Sequence, residues 1–183
     1  MSSGRAVVPM LLAVACASAG TDGTTYREAN YRGVEFDRVA VIAEGGDSQY
    51  RARFEALLVA DLRGEHVWAV EGSTLLPSAG ETSEAERADV LRAAGVQAAL
   101  YLRTVDFGTE KTVVGGWAGV STQVSPWAQF EAELEDVASG ETAWRISAAG
   151  GGNVHASFDT IAGSFCDTVT EALLKERVVR RQP

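Results

Sequence analysis

The chain has 183 residues, 46% of them apolar and 22% charged, and its 16 basic and 25 acidic side chains leave a net charge of −9. That balance makes nucleic acid and anionic lipid surfaces poor partners for the body of the protein, since like charges repel. The length suffices for one well-packed core, and one domain is expected.

The chain opens with Arg5, an apolar run from Ala6 to Ala15, and Cys16. The run is about half of the ~20 residues a spanning helix needs, so it predicts a secretory signal over residues 1–15. Leu12-Ala13-Val14-Ala15-Cys16 resembles a bacterial lipobox, where a signal peptidase cuts before a cysteine that becomes acylated. Ala13 stands where that pattern prefers Leu, and an ordinary cleaved signal is the alternative. Cys16 is thus the expected lipidation site, a palmitate-bearing link to a membrane. With Cys16 acylated, Cys166 has no disulfide partner, and beside Phe165 it is expected to pack in the core as a small apolar residue. Its neighbour Asp167 works against a reactive thiolate.

From Ala17 to about Asp37 no apolar period is sustained, and residues 16–37 are read as the lipidated cysteine and a flexible tether. Residues 38–183 are assigned to a single α/β domain. Arg38 to Ala43 predicts a buried strand ending at Gly45-Gly46, with Asp47 or Ser48 capping the next helix. Phe54, Leu57, Leu58 and Leu62 form the apolar face of that helix, Gly64 closes it, and Val67 to Val70 is a second strand leading into a polar loop around Pro77. Ser83 and Glu86 form a capping box for a second helix, with Ala88, Leu91 and Ala94 inward and Gly95 as its stop. A third strand runs from Ala98 to Val105.

Trp127 to Asp136 alternates, with Phe130, Ala132 and Leu134 facing inward and Gln129, Glu131, Glu133 and Glu135 outward, as in a sheet with one wet face. Ala138 to Glu141 turns the chain into a hairpin, and Trp144 and Ile146 point inward on the return. Gly150-Gly151-Gly152 is read as a flexible turn. Ser157 opens a last helix buried along Phe158, Ile161, Phe165, Val169 and Leu173, and Lys175, Arg177, Arg180 and Arg181 are read as its solvated end. The expected fold is α/β: a mixed sheet in the order β-α-β-α-β-β-β-α, parallel first strands plus an antiparallel hairpin, with helices packed on the sheet.

The residues of catalysis are sparse. His66 and His155 lack nearby acids in a useful pattern, no Gly-x-Ser-x-Gly occurs, and no metal-ligand spacing is present. The glycine triplet lacks the Lys and Ser or Thr of a phosphate loop, and alternate glutamates on one strand make a charged face rather than an oxygen cage. No catalytic residue, no metal and no cofactor is expected, and the chain is read as not an enzyme. The unusual stretch is Phe107 to Pro126, which sets Val113, Val114, Trp117 and Val120 among glycines where a plain hairpin needs few residues. Two readings stand: a surface for a partner or over a groove, formed by those four residues with Trp127, or an extension of the third strand packed on the sheet.

Val39-Ala40-Val41-Ile42, Leu75-Leu76-Pro77, Ala94-Gly95, Leu100-Tyr101-Leu102 and the hairpin Leu134 to Trp144 resemble a group of small bacterial lipoproteins. These share a domain with the curli secretion lipoprotein, the lipoprotein activator of penicillin-binding proteins and the amino-terminal domain of TolB. The resemblance spans Arg38 to Leu174. It implies a non-enzymatic module that contacts other envelope proteins. Thr109 to Pro126 is short and Gly-rich for two membrane-spanning strands of about ten residues each, the tether is short, and no propeller follows. In the lipoprotein sorting scheme Ala17 after the cysteine points to the outer membrane, with the domain in the periplasm. The expected partners are another envelope protein and, through Cys16, the membrane; a small-ligand carrier with a groove under residues 107–126 is the alternative.

Overall fold

The computed structural model describes residues 17–46, 48–76, 83–117 and 119–183. Cys16, the cap at Asp47 and the loop around Pro77 therefore lie outside the described residues. In chain order the elements are β1 (Ala19–Arg27), a short 3-10 turn (Ala29–Tyr31), β2 (Arg38–Glu44), α1 (Ser48–Gly64), β3 (Trp68–Glu71), α2 (Gly72–Leu75), α3 (Glu84–Ala93), β4 (Ala98–Gly116), β5 (Gly119–Asp136), β6 (Glu141–Gly152) and α4 (Phe158–Lys175).

The strands form one mixed sheet in the order β1-β6-β5-β4-β2-β3. β2 lies parallel to β3 and β4, because helices bridge these strands, while β4, β5, β6 and β1 pair antiparallel in succession. The expected α/β class and mixed sheet hold, with one more edge strand and one more short helix.

The period of two in the strands sorts side chains between two apolar layers. Val39, Val41 and Ala43 of β2, Leu100 and Leu102 of β4 and the Phe130 row of β5 pack against α1 and α4. Ala40, Ile42 and Ala99 point the other way, into a smaller cluster with Leu76, Leu91 and Val137. The larger layer centres on aromatic rings: Phe130 stacks on Phe165 at 4.8 Å between centroids, and Phe54 sits 5.7 Å from Phe130. The helices start as their sequences dictate. Ser83 accepts from the Glu86 amide while Glu86 Oε2 accepts from the Ser83 amide, and Ser157 with Thr160 repeats the arrangement at α4.

Three expectations require correction. The tether is largely structure: residues 19–27 pair along β6 as an edge strand, and Tyr31 and Phe36 are buried. No apolar period marks β1 because its inner face is polar, Thr21 Oγ1 donating to Ser164 Oγ at 3.1 Å and Thr25 Oγ1 to Glu176 Oε1 at 2.5 Å. Arg27 ties the strand to the end of α4 by donating to the Glu176 carbonyl at 2.5 Å. The glycine triplet is not a flexible turn but the end of β6, with Gly150 opposite Thr21 and Ala128. A Cβ at Gly152 would lie 2.2 Å from that of Ala156, so the approach to α4 requires glycine there.

The basic end is not simply solvated. α4 stops at Lys175, Arg177 takes a left-handed φ of 53°, and Val178 and Val179 are buried beside Phe36. Phe36 donates to the Val178 carbonyl at 2.9 Å, and Arg180 pairs with Glu35 at 3.2 Å and Asp37 at 3.3 Å. α1 likewise ends at Gly64, but the left-handed residue is His66, whose carbonyl accepts from Gln182 N at 2.7 Å.

Glu55, which is not among the residues of the apolar face Phe54, Leu57, Leu58 and Leu62, is nevertheless 2% exposed. Its carboxylate accepts from the amides of Ala43 at 2.9 Å and Ser73 at 2.8 Å, joining the end of β2 to the first turn of α2. A buried charge is tolerated there because two backbone donors replace its water.

Candidate interaction surface

The stretch from Phe107 to Pro126 is a strand pair. β4 and β5 keep antiparallel register from Ala98 opposite Asp136 to Gly116 opposite Gly119, with one bulge between Thr104 and Asp106. β2 accompanies β4 only as far as Arg103, and β6 accompanies β5 only from Trp127. Past those points no strand among the described residues pairs with either outer edge, so Thr109–Gly116 and Gly119–Pro126 project as a two-stranded arm. Eight register pairs from Thr109↔Pro126 to Gly116↔Gly119 make it roughly 24 Å long.

The alternation of β5 assigns the faces of the arm. The face that carries Ala128 and Phe130 in the body continues with Val124, Val120 and, across the ladder, Val113; Val114 and Trp127 lie on the opposite face. The five residues expected to form one surface are therefore split, Val113 with Val120 on one side, Val114 with Trp127 on the other, and Trp117 at the tip. Val113, Val114, Trp117 and Val120 are all exposed, Trp117 completely, and Trp127 is exposed at the base. Sequence reasoning missed Phe107, whose ring meets Phe158 edge-on at 5.9 Å and seats the arm on the start of α4. Trp127 lies over Gly108, where a Cβ would come within 3.1 Å of the indole. From Thr112 to Phe130 the chain carries no charged residue.

The rest of the described surface is rich in charge. Between α3 and the wet face of the sheet lies an open cleft of about 500 Å³ whose lining includes Glu44, Arg87, Arg103, Glu131, Glu133 and Glu135. Arg103 donates to Glu44 at 2.7 Å, which raises its already high pKa, and burial raises the pKa of Glu135 although Arg87 opposes it. Among the described residues no group of three or more His, Cys, Asp or Glu side chains is placed to hold a metal. Cys166 is buried, and desolvation, with smaller contributions from Asp61 and Asp167, pushes its thiol far above the ordinary value. No described helix is long and apolar enough to cross a membrane.

A six-stranded mixed sheet with helices on both faces and a projecting strand pair defines the chain as an α/β domain of the mixed-sheet class. No protein-family model matches the sequence, and no curated protein matches it. Among solved structures it is similar to the PelC dodecamer from Paraburkholderia phytofirmans, at 19% identity and a TM-score of 0.53 over 88% of this chain and 99% of that one. Lipoprotein GNA1162 from Neisseria meningitidis matches at 15% identity and a TM-score of 0.48 over 75% of this chain and 98% of that one. The LpoB C-terminal domain from Salmonella enterica matches at 16% identity and 0.36 over 64% and 84%. The likeness to PelC concerns the fold.

Proposed function

We propose that this chain is a lipid-anchored envelope lipoprotein, held through Cys16 at the inner leaflet of the outer membrane with its domain in the periplasm, where it serves as a non-enzymatic assembly module for another envelope protein. The arm carries this reading. An isolated two-stranded ribbon is marginal in water, and this one exposes two unpaired edges and a row of valines with a tryptophan. Such an element acquires its stability from what covers it. The similarity to a protein that assembles as a dodecamer supports an assembly role over an isolated one. The carrier alternative is less well supported: among the described residues the base of the arm is seated directly on α4 by the Phe107–Phe158 contact, and a tryptophan that closed a groove would not be fully exposed.

The test is crosslinking of the full-length chain in a diderm bacterium, with partners identified by mass spectrometry and Cys16→Ser as control. A discrete envelope partner, present with the native chain and lost with Cys16→Ser, is expected. Normal processing and membrane retention of Cys16→Ser would overturn the anchor, and an acylated chain that crosslinks to nothing would overturn the assembly role.

A further inference from the structure

The arm and the point where the chain enters the domain lie at the same end of the sheet. Ser18 accepts from the Asn153 amide at 2.9 Å, Ala19 stands opposite Gly152, and a Cβ on Gly152 would lie 3.5 Å from Pro126 at the base of the arm. β1 runs from Ala19 away from the tip, so the preceding chain approaches from the side to which the arm projects. One residue, Ala17, separates Ser18 from Cys16, so the two are no more than about 7 Å apart along extended backbone. A membrane joined to the chain at Cys16 therefore faces the arm.

The chemistry of the arm suits that neighbour. The protein carries a net charge of −9, yet Thr112 to Phe130 holds no charge, so this is the part of an acidic molecule that headgroups do not repel. An indole at the tip has the apolar body and single polar N–H that favour the boundary between water and hydrocarbon. Because Ser18 stands level with the base of the arm, a membrane joined at Cys16 requires the roughly 24 Å arm to lie obliquely against its surface. The two unpaired edges keep it there: open backbone donors and acceptors cannot enter the hydrocarbon core.

We propose that the tip of the β4–β5 arm, Trp117 flanked by Val113 and Val120, is a lipid contact that seats in the interfacial layer of the bilayer and sets the orientation of the domain on its membrane. This rests on the anchored-lipoprotein reading for the side on which the membrane lies. It assigns the tip to lipid and leaves the edges and base of the arm to a protein partner.

The test uses the full chain purified from the bacterial membrane and reconstituted in phosphatidylethanolamine and phosphatidylglycerol vesicles. A fluorophore is attached at Val120→Cys, or at Glu171→Cys on the far end of α4; Cys166 is buried and stays unlabelled. Brominated phospholipids are expected to quench the label at position 120 and not at position 171. Equal quenching at both, or none at either, overturns the proposal. Shielding of position 120 from aqueous iodide without quenching by brominated lipid also overturns it and assigns the tip to a second copy of the chain. Mass spectrometry of the amino terminus reports the anchor separately. If that end is unacylated, the anchor reading fails while the tip is still read by flotation: Trp117→Ser is expected to lower vesicle binding about tenfold, and unchanged binding overturns the proposal.

Discussion

Residues 127–136 and residues 119–126 belong to the same strand, pair with the same neighbour and follow the same alternation, yet one half is core and the other is surface. In the body, Phe130, Ala132 and Leu134 are buried because α1 and α4 close over that face and β6 closes the edge. In the arm the corresponding Val120 and Val124 meet neither. A strand pattern thus sets which side chains share a face, and whether that face is core depends on a second layer. The arm keeps an apolar side without a layer to bury it, which is why its function is sought in contact.

The comparison can be broken or sharpened by substitution. The largest loss is expected in the body: Phe165→Ala removes the ring stacked on Phe130 and should cost about 3–5 kcal/mol in denaturant unfolding. Glu55→Ala orphans the amides of Ala43 and Ser73 and should cost about 2–3 kcal/mol by the same measurement; an unchanged midpoint would mean that the β2–α2 junction is not held by that carboxylate.

Alkali should act on the body as well. Burial raises the Cys166 thiol and, among the phenols, Tyr31, Tyr50 and Tyr101, so the folded chain keeps protons that the unfolded chain releases. Their contribution is full below the ordinary thiol value and is lost as pH rises above about 8.5, at up to about 1.4 kcal/mol per pH unit for the thiol. Cys166→Ala should flatten the first part of that decline in chemical unfolding at stepped pH, and an unaltered slope would remove the thiol as its cause.

At the seam between the two regions, Ser157→Ala removes the cap of α4 next to the Phe158 contact and should cost about 1 kcal/mol. The smallest change is expected on the arm, where Val120→Ser should stay within about 0.5 kcal/mol of the native chain. A loss comparable to that of Phe165→Ala would show that the arm is part of the core after all.

Most of the body was legible in the sequence. The capping boxes, the buried stripe of α4 and the alternation of residues 128–134 each follow from local chemistry repeated at a fixed period. The inner face of β1 was not legible, since threonines bonded to α4 carry no apolar signal. The docked end was obscured for a related reason: Val178 and Val179 are a short apolar pair among arginines, and they join the core where Phe36, some 140 residues earlier, bridges to them. Glu55 reads as an ordinary exposed helix acid until Ser73 and Ala43 turn their amides toward it. In the candidate surface, the composition of residues 107–126 singled out the segment that projects from the sheet, and the register then divided its residues between two faces.

By itself the sequence determined the elements with a strong period, the acidic balance and the presence of one anomalous glycine-rich, apolar stretch. These are properties of neighbours within a few residues, where side-chain spacing and local hydrogen bonding decide the outcome. Only the tertiary structure decided that β1 completes the sheet, that the basic end docks, and that the arm leaves the body beside the entering chain. Each of those depends on groups far apart in sequence, and long-range pairing leaves no periodic mark on either partner.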